Sequence, residues 1–303
     1  MKVWFNGEYK EDSEVKLSLY THALHYGSSF FEGVRAYKLK NEDNTAIFRV
    51  KEHYERLYNS AKIYKTVIPY DMDTLVEATK QLIVMNGMES AYIRPIVYRA
   101  GPFLGVNPTR NEVHVAILTL DWGRYLGEDA LEKGIKCQVS SWRRPAPSTL
   151  PSLAKAGGNY LNSQLIKLEA IDNGYDEGIA LDYFGNIAEG SGENIFIVKD
   201  NVLYTPPMAS SLLFGITRDS ILTLAHELNI TVKEQTLPRE FLYIADEVFL
   251  SGTAAEITPV SNIDGYKIGS GTCGTMTRRL QESFFETVQG VNIDHLDWLT
   301  KIK

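Results

Sequence analysis

The sequence predicts an α+β protein with two domains. The chain has 303 residues, and at roughly 150 residues per domain this length accommodates two. Up to residue 120, amphipathic helical patterns are interleaved with apolar strand patterns. Beyond residue 177, short strands follow one another closely. Such dense short strands with helices are typical of a barrel-like α+β domain and differ from the regular alternation of a doubly wound sheet.

The first half begins with a hairpin, because Asn6-Gly7 is a dipeptide that favours a two-residue turn between strands. The second of its helices has Leu75 and Leu82 on one face and stops at Asn86-Gly87. Strands are predicted at residues 3–5, 8–10, 33–37, 45–49, 91–98 and 113–120, and helices at residues 51–64 and 72–85.

Residues 121–131 break the periodic patterns and are predicted to be the interdomain linker. The smaller domain then covers residues 1–120, and the larger one covers residues 132–303. A second irregular stretch, at residues 142–151, contains three prolines. In the larger domain we predict a helix around residues 161–168, strands at 178–181, 187–189, 194–198, 202–204 and 248–250, and helices at 217–228 and 276–287.

Charge and composition exclude several classes of partner. The chain carries 31 Lys and Arg against 38 Asp and Glu, a formal net charge of -7, and has no basic stretch. We therefore expect neither nucleic acid nor an anionic membrane as a partner. Cys137 and Cys273 lack the spacing of a zinc site, so no metal is predicted. No apolar run reaches the about 18 residues that span a bilayer, and the first residues do not resemble a signal peptide, so we expect a cytoplasmic location.

Lys155 is the candidate nucleophile. It lies among the small residues Ala154, Ala156, Gly157 and Gly158, after an irregular stretch and at the start of a predicted helix. Small neighbours leave room for a bulky group near the amine, and a desolvated lysine near other cations loses its proton and attacks carbonyl carbon. A solvated surface lysine is the alternative, because most lysines are solvated.

Three further segments have residues that suit the charged groups of a ligand. Glu189 is flanked by Gly190 and Gly192, which allow a ligand to approach closely, although a tight hairpin with solvated glutamates explains them too. The third glycine of a dinucleotide-binding loop is missing, and no helix follows. Thr217 opens a predicted helix whose first N–H groups form an anion site, or it is simply the N-cap. Thr253 lies in a glycine-containing turn after an apolar strand.

Two arginines lie among apolar or aromatic neighbours. Arg56 is on a predicted helix, and Arg94 is on a predicted strand, where it shares a face with Tyr92. A phenol beside a guanidinium suits a carboxylate, although a solvated strand face is the alternative. Together, these segments supply what one cofactor would need: an amine for an aldehyde, an anion site for a phosphate and a carboxylate for a pyridinium.

The whole chain resembles the branched-chain amino-acid aminotransferases, which are of fold type IV among pyridoxal-phosphate enzymes. The resemblance runs from Trp4 to the last helix. Seven ordered segments carry it: His22-Ala23-Leu24-His25-Tyr26-Gly27, Phe31-Glu32-Gly33-Val34-Arg35, Tyr92-Ile93-Arg94-Pro95, Lys155-Ala156-Gly157-Gly158-Asn159-Tyr160, Glu189-Gly190-Ser191-Gly192-Glu193-Asn194, Gly215-Ile216-Thr217-Arg218 and Ser251-Gly252-Thr253-Ala254-Ala255. It implies a smaller N-terminal α/β domain, a larger C-terminal barrel-like domain with the cofactor between them, and a homo-oligomer that is at least a dimer.

The resemblance also implies which residues bind pyridoxal phosphate. Lys155 would form the Schiff base, Glu189 would pair with the pyridine nitrogen and keep it protonated, and Tyr160 would hydrogen-bond the phenolic oxygen. Leu213 would pack on the face of the ring. The residues that would hold the phosphate are Arg56, Ile216, Thr217 and Thr253.

The implied reaction transfers the amino group of leucine, isoleucine or valine to 2-oxoglutarate by ping-pong kinetics, giving branched-chain 2-oxo acids and L-glutamate. By the same resemblance, the substrate α-carboxylate would bind Tyr92, Thr253 and the Ala254 amide. Arg94, with Tyr26 and Tyr125, would bind the γ-carboxylate of glutamate. The side-chain pocket would be lined by Tyr26, Phe31, Val106, Tyr125 and Tyr160.

Other activities share part of this pattern. D-amino-acid aminotransferases, (R)-amine transaminases and aminodeoxychorismate lyase share the lysine, glutamate and phosphate motifs. The Tyr92 and Arg94 pair, with Phe31 and Gly105-Val106, favours branched-chain L-amino acids. A regulatory protein that binds the cofactor without turnover is the alternative from another class, and intact Lys155 and Glu189 argue against it.

Overall fold

The computed structural model describes residues 1–123, 126–127 and 129–303 and has an α+β fold. The α-helices are α1 (His22–Tyr26), α2 (Val50–Ile63), α3 (Met72–Met85), α4 (Ala130–Lys133), α5 (Tyr160–Asp172), α6 (Ile216–Glu227) and α7 (Thr275–Val288). Short 3-10 segments lie at Asp12–Glu14, Gly157–Asn159, Arg239–Ile244 and Ile293–Trp298. The strands are β1 (Lys2–Phe5), β2 (Glu8–Glu11), β3 (Ser29–Phe31), β4 (Val34–Lys38), β5 (Thr45–Phe48), β6 (Ala91–Arg99), β7 (Val113–Leu120), β8 (Ile135–Arg143), β9 (Glu177–Leu181), β10 (Ile187–Gly190), β11 (Asn194–Lys199), β12 (Val202–Thr205), β13 (Thr231–Glu234), β14 (Glu247–Gly252), β15 (Glu256–Ile263), β16 (Tyr266–Lys267) and β17 (Leu299–Lys301).

The chain forms two compact units, and each draws on separate parts of the sequence. The first unit consists of Met1–Gly123, Ala154–Asn159 and Glu286–Lys303, and the second of Arg124–Leu153 and Tyr160–Phe285. This division differs from the predicted one, which has a single boundary at residues 121–131 and a larger domain that contains every residue after it. The two returns to the first unit have a physical cause: β17 pairs with β5, and Ala156 forms a bridge with Phe30 on β3.

The first unit is built on an antiparallel sheet with the strand order β17-β5-β4-β6-β7-β1-β2, and β3 also pairs with β6. The β1–β2 hairpin turns at Asn6 and Gly7, whose φ angles of 49° and 93° are the positive values that this turn type requires. Helices α2 and α3 contribute Tyr54, Leu57 and Leu75 to the core, and each of these side chains is fully buried. This amphipathic burial stabilises the two helices.

The sheet of the second unit has the strand order β10-β9-β8-β15-β14-β11-β12-β13, with β16 beside β15. Strands β10 and β11 are consecutive in the chain but lie far apart in this order. The Gly190 N–H nevertheless donates a hydrogen bond of 2.6 Å to the Glu193 carbonyl across the turn between them. The sheet must therefore curl back on itself, and it encloses an apolar core that includes Ile179, Ile195 and Leu250.

The predicted α+β fold class is confirmed, and the long periodic helices match α2, α3, α6 and α7 within about two residues. Strands β3, β8, β13, β15, β16 and β17 and the short helices α1 and α4 are not among the predicted elements, and the end of β8 overlaps the stretch predicted to be irregular. Within the residues described here, no helix is long and apolar enough to cross a membrane. The described residues also contain no cluster of three or more potential metal ligands.

Candidate active site

Lys155 lies on a short segment of the first unit that is held against β3 and α2. Its N–H donates to Ser60 Oγ at 2.9 Å, and its carbonyl accepts from the Phe31 N–H at 3.1 Å. The amine lies 5.1 Å from the centre of the Phe31 ring. The small residues around Lys155 also have a packing role, because a Cβ added to Gly157 would lie 2.3 Å from Ser29 Oγ. The backbone of Lys155 is therefore fixed from two directions.

The inner face of α2 carries Arg56, and a buried carboxylate contacts it. Arg56 donates from Nε and Nη2 to the two oxygens of Glu32, at 2.6 and 2.8 Å. His53, one helical turn earlier, donates from Nδ1 to Glu32 Oε2 at 2.7 Å. Burial alone would raise the pKa of Glu32, but the Arg56 charge and the hydrogen bonds from Arg56 and His53 outweigh it and hold that pKa well below its usual range. Glu32 is therefore ionised at neutral pH.

The pKa of His53 is lowered, and this sets its imidazole apart from the charged side chains of Glu32 and Arg56. Burial lowers the pKa of His53, the hydrogen bond to Glu32 opposes this effect, and the charges of Arg56 and Lys155 lower it further. His53 is therefore neutral at pH 7. Because an ionised carboxylate can only accept, the proton of the neutral ring lies on Nδ1.

Strand β6 brings three of the predicted substrate residues together. Tyr92 and Arg94 project from the same face, and Arg94 Nη2 donates to Tyr92 Oη at 3.0 Å. Phe31 on β3 is paired with Ile96, two residues beyond Arg94, so its ring lies diagonally across from the guanidinium, 4.7 Å from centre to centre. Gly33 leaves room for the Tyr92 hydroxyl, because a Cβ there would lie 2.1 Å from that oxygen.

The other predicted substrate residues of the first unit stand apart from this cluster in the contacts that the structure describes. Tyr26 stacks on His22 with ring centres 4.6 Å apart. Val106 is 86% exposed. Tyr125 lies outside the described residues, and the structure says nothing of its predicted role.

Glu189 is held on β10 of the second unit by three partners. Arg144 Nε lies 2.9 Å from Oε1 and forms an ion pair. Asn194 Nδ2 and the Leu213 N–H donate to Oε2 at 3.3 and 3.1 Å. The carboxylate is buried, so the alternative of solvated hairpin glutamates is wrong for Glu189. The ion pair and the two donated hydrogen bonds hold this carboxylate in place.

Sequence reasoning missed both Arg144 and Asn194. Arg144 lies in the stretch that is predicted to be irregular from the sequence. Its Nη1 donates to Asn162 Oδ1 at 2.9 Å and to Ser163 Oγ at 3.2 Å. No sequence pattern pointed to it. Asn194 could have been found, because it belongs to one of the seven segments that carry the family resemblance. It also donates to the Leu213 carbonyl at 2.9 Å.

Helix α6 begins at Ile216, and Gly215 is its N-cap. Thr217 is the second residue of the helix and is buried, so the alternative in which Thr217 is the N-cap is wrong. Gly215 has no side chain that could cap the helix, and the dipole at a helix N-terminus favours an anion. Gly215 is required by close packing, since a Cβ would lie 2.0 Å from Asn194 Oδ1. The Glu189 network and the α6 N-terminus are thus in contact.

The remaining predicted residues of the second unit lie at element ends. Thr253 and Ala254 form the turn between β14 and β15 and are half-buried. Tyr160 is the first residue of α5. Leu213 lies in the segment before α6, and its N–H donates to Glu189.

These features define a protein of the class IV aminotransferases. The model of the family described as "Amino-transferase class IV" matches residues 29–263, and the chain belongs to this family. It is 51% identical over 301 residues to the branched-chain-amino-acid aminotransferase of Escherichia coli (strain K12), covering 99% of this chain and 97% of that protein. The crystal structure of the Escherichia coli branched-chain amino acid aminotransferase superposes with a TM-score of 0.97 at 51% identity and covers 100% of this chain and 99% of that one.

A third comparison concerns the cofactor. The branched-chain amino acid aminotransferase from Thermobaculum terrenum, solved in its PLP-form (holo-form), has a TM-score of 0.93 at 33% identity, and the match covers 100% of this chain and 98% of that one. The predicted family, the type IV fold and the enzyme class of a branched-chain-amino-acid transaminase are confirmed. Pyridoxal phosphate as the cofactor is confirmed at the level of the family.

Proposed function

We propose that this chain transfers the amino group of L-leucine, L-isoleucine and L-valine to 2-oxoglutarate, through Lys155 and pyridoxal phosphate, by ping-pong kinetics. The observation that carries the proposal is the position of the Phe31 ring. Its centre lies 5.1 Å from the Lys155 amine and 4.7 Å from the Arg94 guanidinium. An apolar ring beside both an amine and a cation suits substrates whose side chains are either aliphatic or anionic.

The donor set of the chain fits pyridoxal phosphate. A buried and ion-paired carboxylate, Glu189, suits a pyridinium nitrogen, and the N-terminus of α6, with its helix dipole, suits a phosphate. We assign Lys155 to covalent attachment, Glu189 to the ring nitrogen, Tyr160 to the phenolic oxygen and Leu213 to the ring face. The phosphate-binding residues in this proposal are Arg56, Ile216, Thr217 and Thr253.

When bound, the cofactor supplies an aldehyde for the substrate amine and a ring that withdraws electrons from the substrate Cα. The role of the chain is to place groups around that reaction. Lys155 Nζ would take the proton from the substrate Cα and pass it to the aldehyde-derived carbon of the cofactor in the first half of the transfer, and would move a proton in the opposite direction in the second half. Fixing the Lys155 backbone through Ser60 and Phe31 restricts where that amine can reach. The Glu189 carboxylate would hold the ring nitrogen by accepting a hydrogen bond from it.

We assign the two substrate carboxylates to different residues. Tyr92, Thr253 and the Ala254 amide bind the α-carboxylate. Arg94, with Tyr26 and Tyr125, binds the γ-carboxylate of glutamate and 2-oxoglutarate. The side-chain pocket combines Tyr26, Phe31, Val106, Tyr125 and Tyr160. The contact between Arg94 and Tyr92 supports the first two assignments, because it keeps the guanidinium and the phenol at a fixed separation.

The test is a panel of amino donors with 2-oxoglutarate as acceptor. L-leucine, L-isoleucine and L-valine should react, while D-alanine and (R)-1-phenylethylamine should not. Lys155→Ala should abolish turnover and the absorbance of the covalently held cofactor. An active Lys155→Ala variant, or a preference for the D-amino acid or the amine, would contradict the proposal. Formation of at least a homodimer and the cytoplasmic location remain predictions.

A further inference from the structure

The Glu32 carboxylate is the centre of a buried network to which none of the roles above assigns a function. Its side chain is fully buried and accepts hydrogen bonds from Arg56 and His53, at 2.6 to 2.8 Å. A buried ion pair adds little stability compared with apolar side chains of the same volume. Its effect is instead geometric, because a carboxylate and a guanidinium that share two parallel hydrogen bonds have one preferred mutual orientation.

We propose that Glu32 and His53 are positioning residues that hold Arg56 in the orientation in which it binds the cofactor phosphate. The inference rests on the phosphate-binding role proposed for Arg56. Nε and Nη2 of Arg56 both donate to Glu32, so the plane of the guanidinium is fixed. The guanidinium is flat, and its Nη1 edge therefore faces away from Glu32. Phosphate recognition then depends on a carboxylate that does not touch the phosphate.

His53 fixes the carboxylate in turn. Its Nδ1–H donates to Glu32 Oε2, the same oxygen that accepts from Arg56 Nη2. The Gly33 N–H makes a longer contact of 3.3 Å with that oxygen. Because His53 and Arg56 are three residues apart on α2, they approach Glu32 from one helix face. Removing the imidazole donor frees the carboxylate to rotate, and the guanidinium rotates with it.

The test measures cofactor binding to the apoprotein and does not depend on turnover. Pyridoxal phosphate and pyridoxal, which lacks the phosphate, are titrated separately, and the ratio of the two dissociation constants gives the phosphate selectivity. Glu32→Asp keeps the charge but is one methylene shorter, so it cannot reach both N–H groups of Arg56. We expect the phosphate selectivity to fall by about tenfold, the loss of one charged hydrogen bond, with pyridoxal binding nearly unchanged.

The matched control is Glu177→Asp in the second unit. Glu177 is also fully buried and lies 2.8 Å from a cation, Lys167. Shortening it removes a buried ion-pair contact elsewhere in the chain, so the wild-type phosphate selectivity should persist. Wild-type selectivity in Glu32→Asp, or an equal fall in the control, would overturn the proposal.

A second pair of variants tests His53 and does not alter the buried charge. His53→Asn keeps an N–H donor close to the position of Nδ1, and His53→Leu removes it. The asparagine variant should retain the phosphate selectivity, and the leucine variant should lose about tenfold. A merely structural role would affect pyridoxal and pyridoxal phosphate alike. Equal selectivity in the two variants would overturn the positioning role of His53.

Arg56→Met separates this inference from the function on which it rests. If that variant keeps the wild-type phosphate selectivity, the phosphate-binding role of Arg56 is wrong. If Arg56→Met loses selectivity while Glu32→Asp and His53→Leu do not, Arg56 binds the phosphate without help from these two residues. In that case only the positioning inference fails.

Discussion

Glu193 should make the protein less stable as the pH rises. Burial, together with the charges of Glu177 and Glu189, raises its pKa from the ordinary 4.5 to about 8, against the opposing effects of the Gly192 N–H and Lys167. Between these two values the unfolded chain ionises and the folded chain does not, so rising pH favours unfolding. The penalty grows from about 1 kcal/mol at pH 5 to about 3 kcal/mol at pH 7.

Glu193→Gln removes this titration with little change in size, and its amide oxygen can still accept from the Gly192 N–H. The free energy of unfolding, measured by urea denaturation at pH 5, 6 and 7, should therefore rise relative to the wild type by about 2 kcal/mol between pH 5 and pH 7. Glu282→Gln, an exposed glutamate on α7, is the control and should show no such trend. A difference between Glu193→Gln and the wild type that stays constant across this pH range would refute the reasoning.

Three further predictions concern the site and the core. Arg94→Ala should lower kcat/KM for glutamate and 2-oxoglutarate by about 10- to 100-fold, because a charged hydrogen bond is lost, and should lower kcat/KM for leucine less. Equal losses for these substrates in steady-state assays would contradict the assignment of Arg94 to the γ-carboxylate. Gly215→Ala should displace Asn194 from Glu189, because the new Cβ would lie 2.0 Å from Asn194 Oδ1. Titration with the cofactor should therefore show weaker binding. Unchanged binding would show that the backbone around residue 215 shifts to accommodate the methyl group. Leu57→Ala removes a fully buried side chain and should lower the free energy of unfolding by about 2–5 kcal/mol in urea denaturation, whereas Leu161→Ala on an exposed face should change it little.

The parts of the fold that could be predicted are those with a local signal. Helices α2 and α3 have apolar residues at helical spacing, and the turn at Asn6-Gly7 is set by two adjacent residues. Strand β17 has no such signal, because it is short and is stabilised by pairing with β5. That pairing joins Leu299 to Phe48, which are far apart in the sequence, and no window of neighbouring residues contains both.

The same distinction applies to the candidate site. Lys155, Glu189 and Thr217 lie in segments that are recognisable from their own neighbours. Arg144 and His53 function through partners that are distant in sequence, Glu189 and Glu32, and each is unremarkable within its own segment. The packing that forces Gly215 to be a glycine became apparent only when Asn194 was located beside it. Long-range partners are therefore what sequence reasoning could not supply.

Strand β17, at the very end of the chain, has a consequence for how the protein is made. The first unit contains both β5 and β17, and this edge of β5 is left unpaired until residues 299–301 have been synthesised. During synthesis on a ribosome, the N-terminal half emerges first, and the edge of β5 stays exposed until β17 has been made. Removing residues 299–303 should therefore destabilise the first unit, which is built mainly from the N-terminal half of the chain. A fragment ending near residue 123 should aggregate when expressed alone.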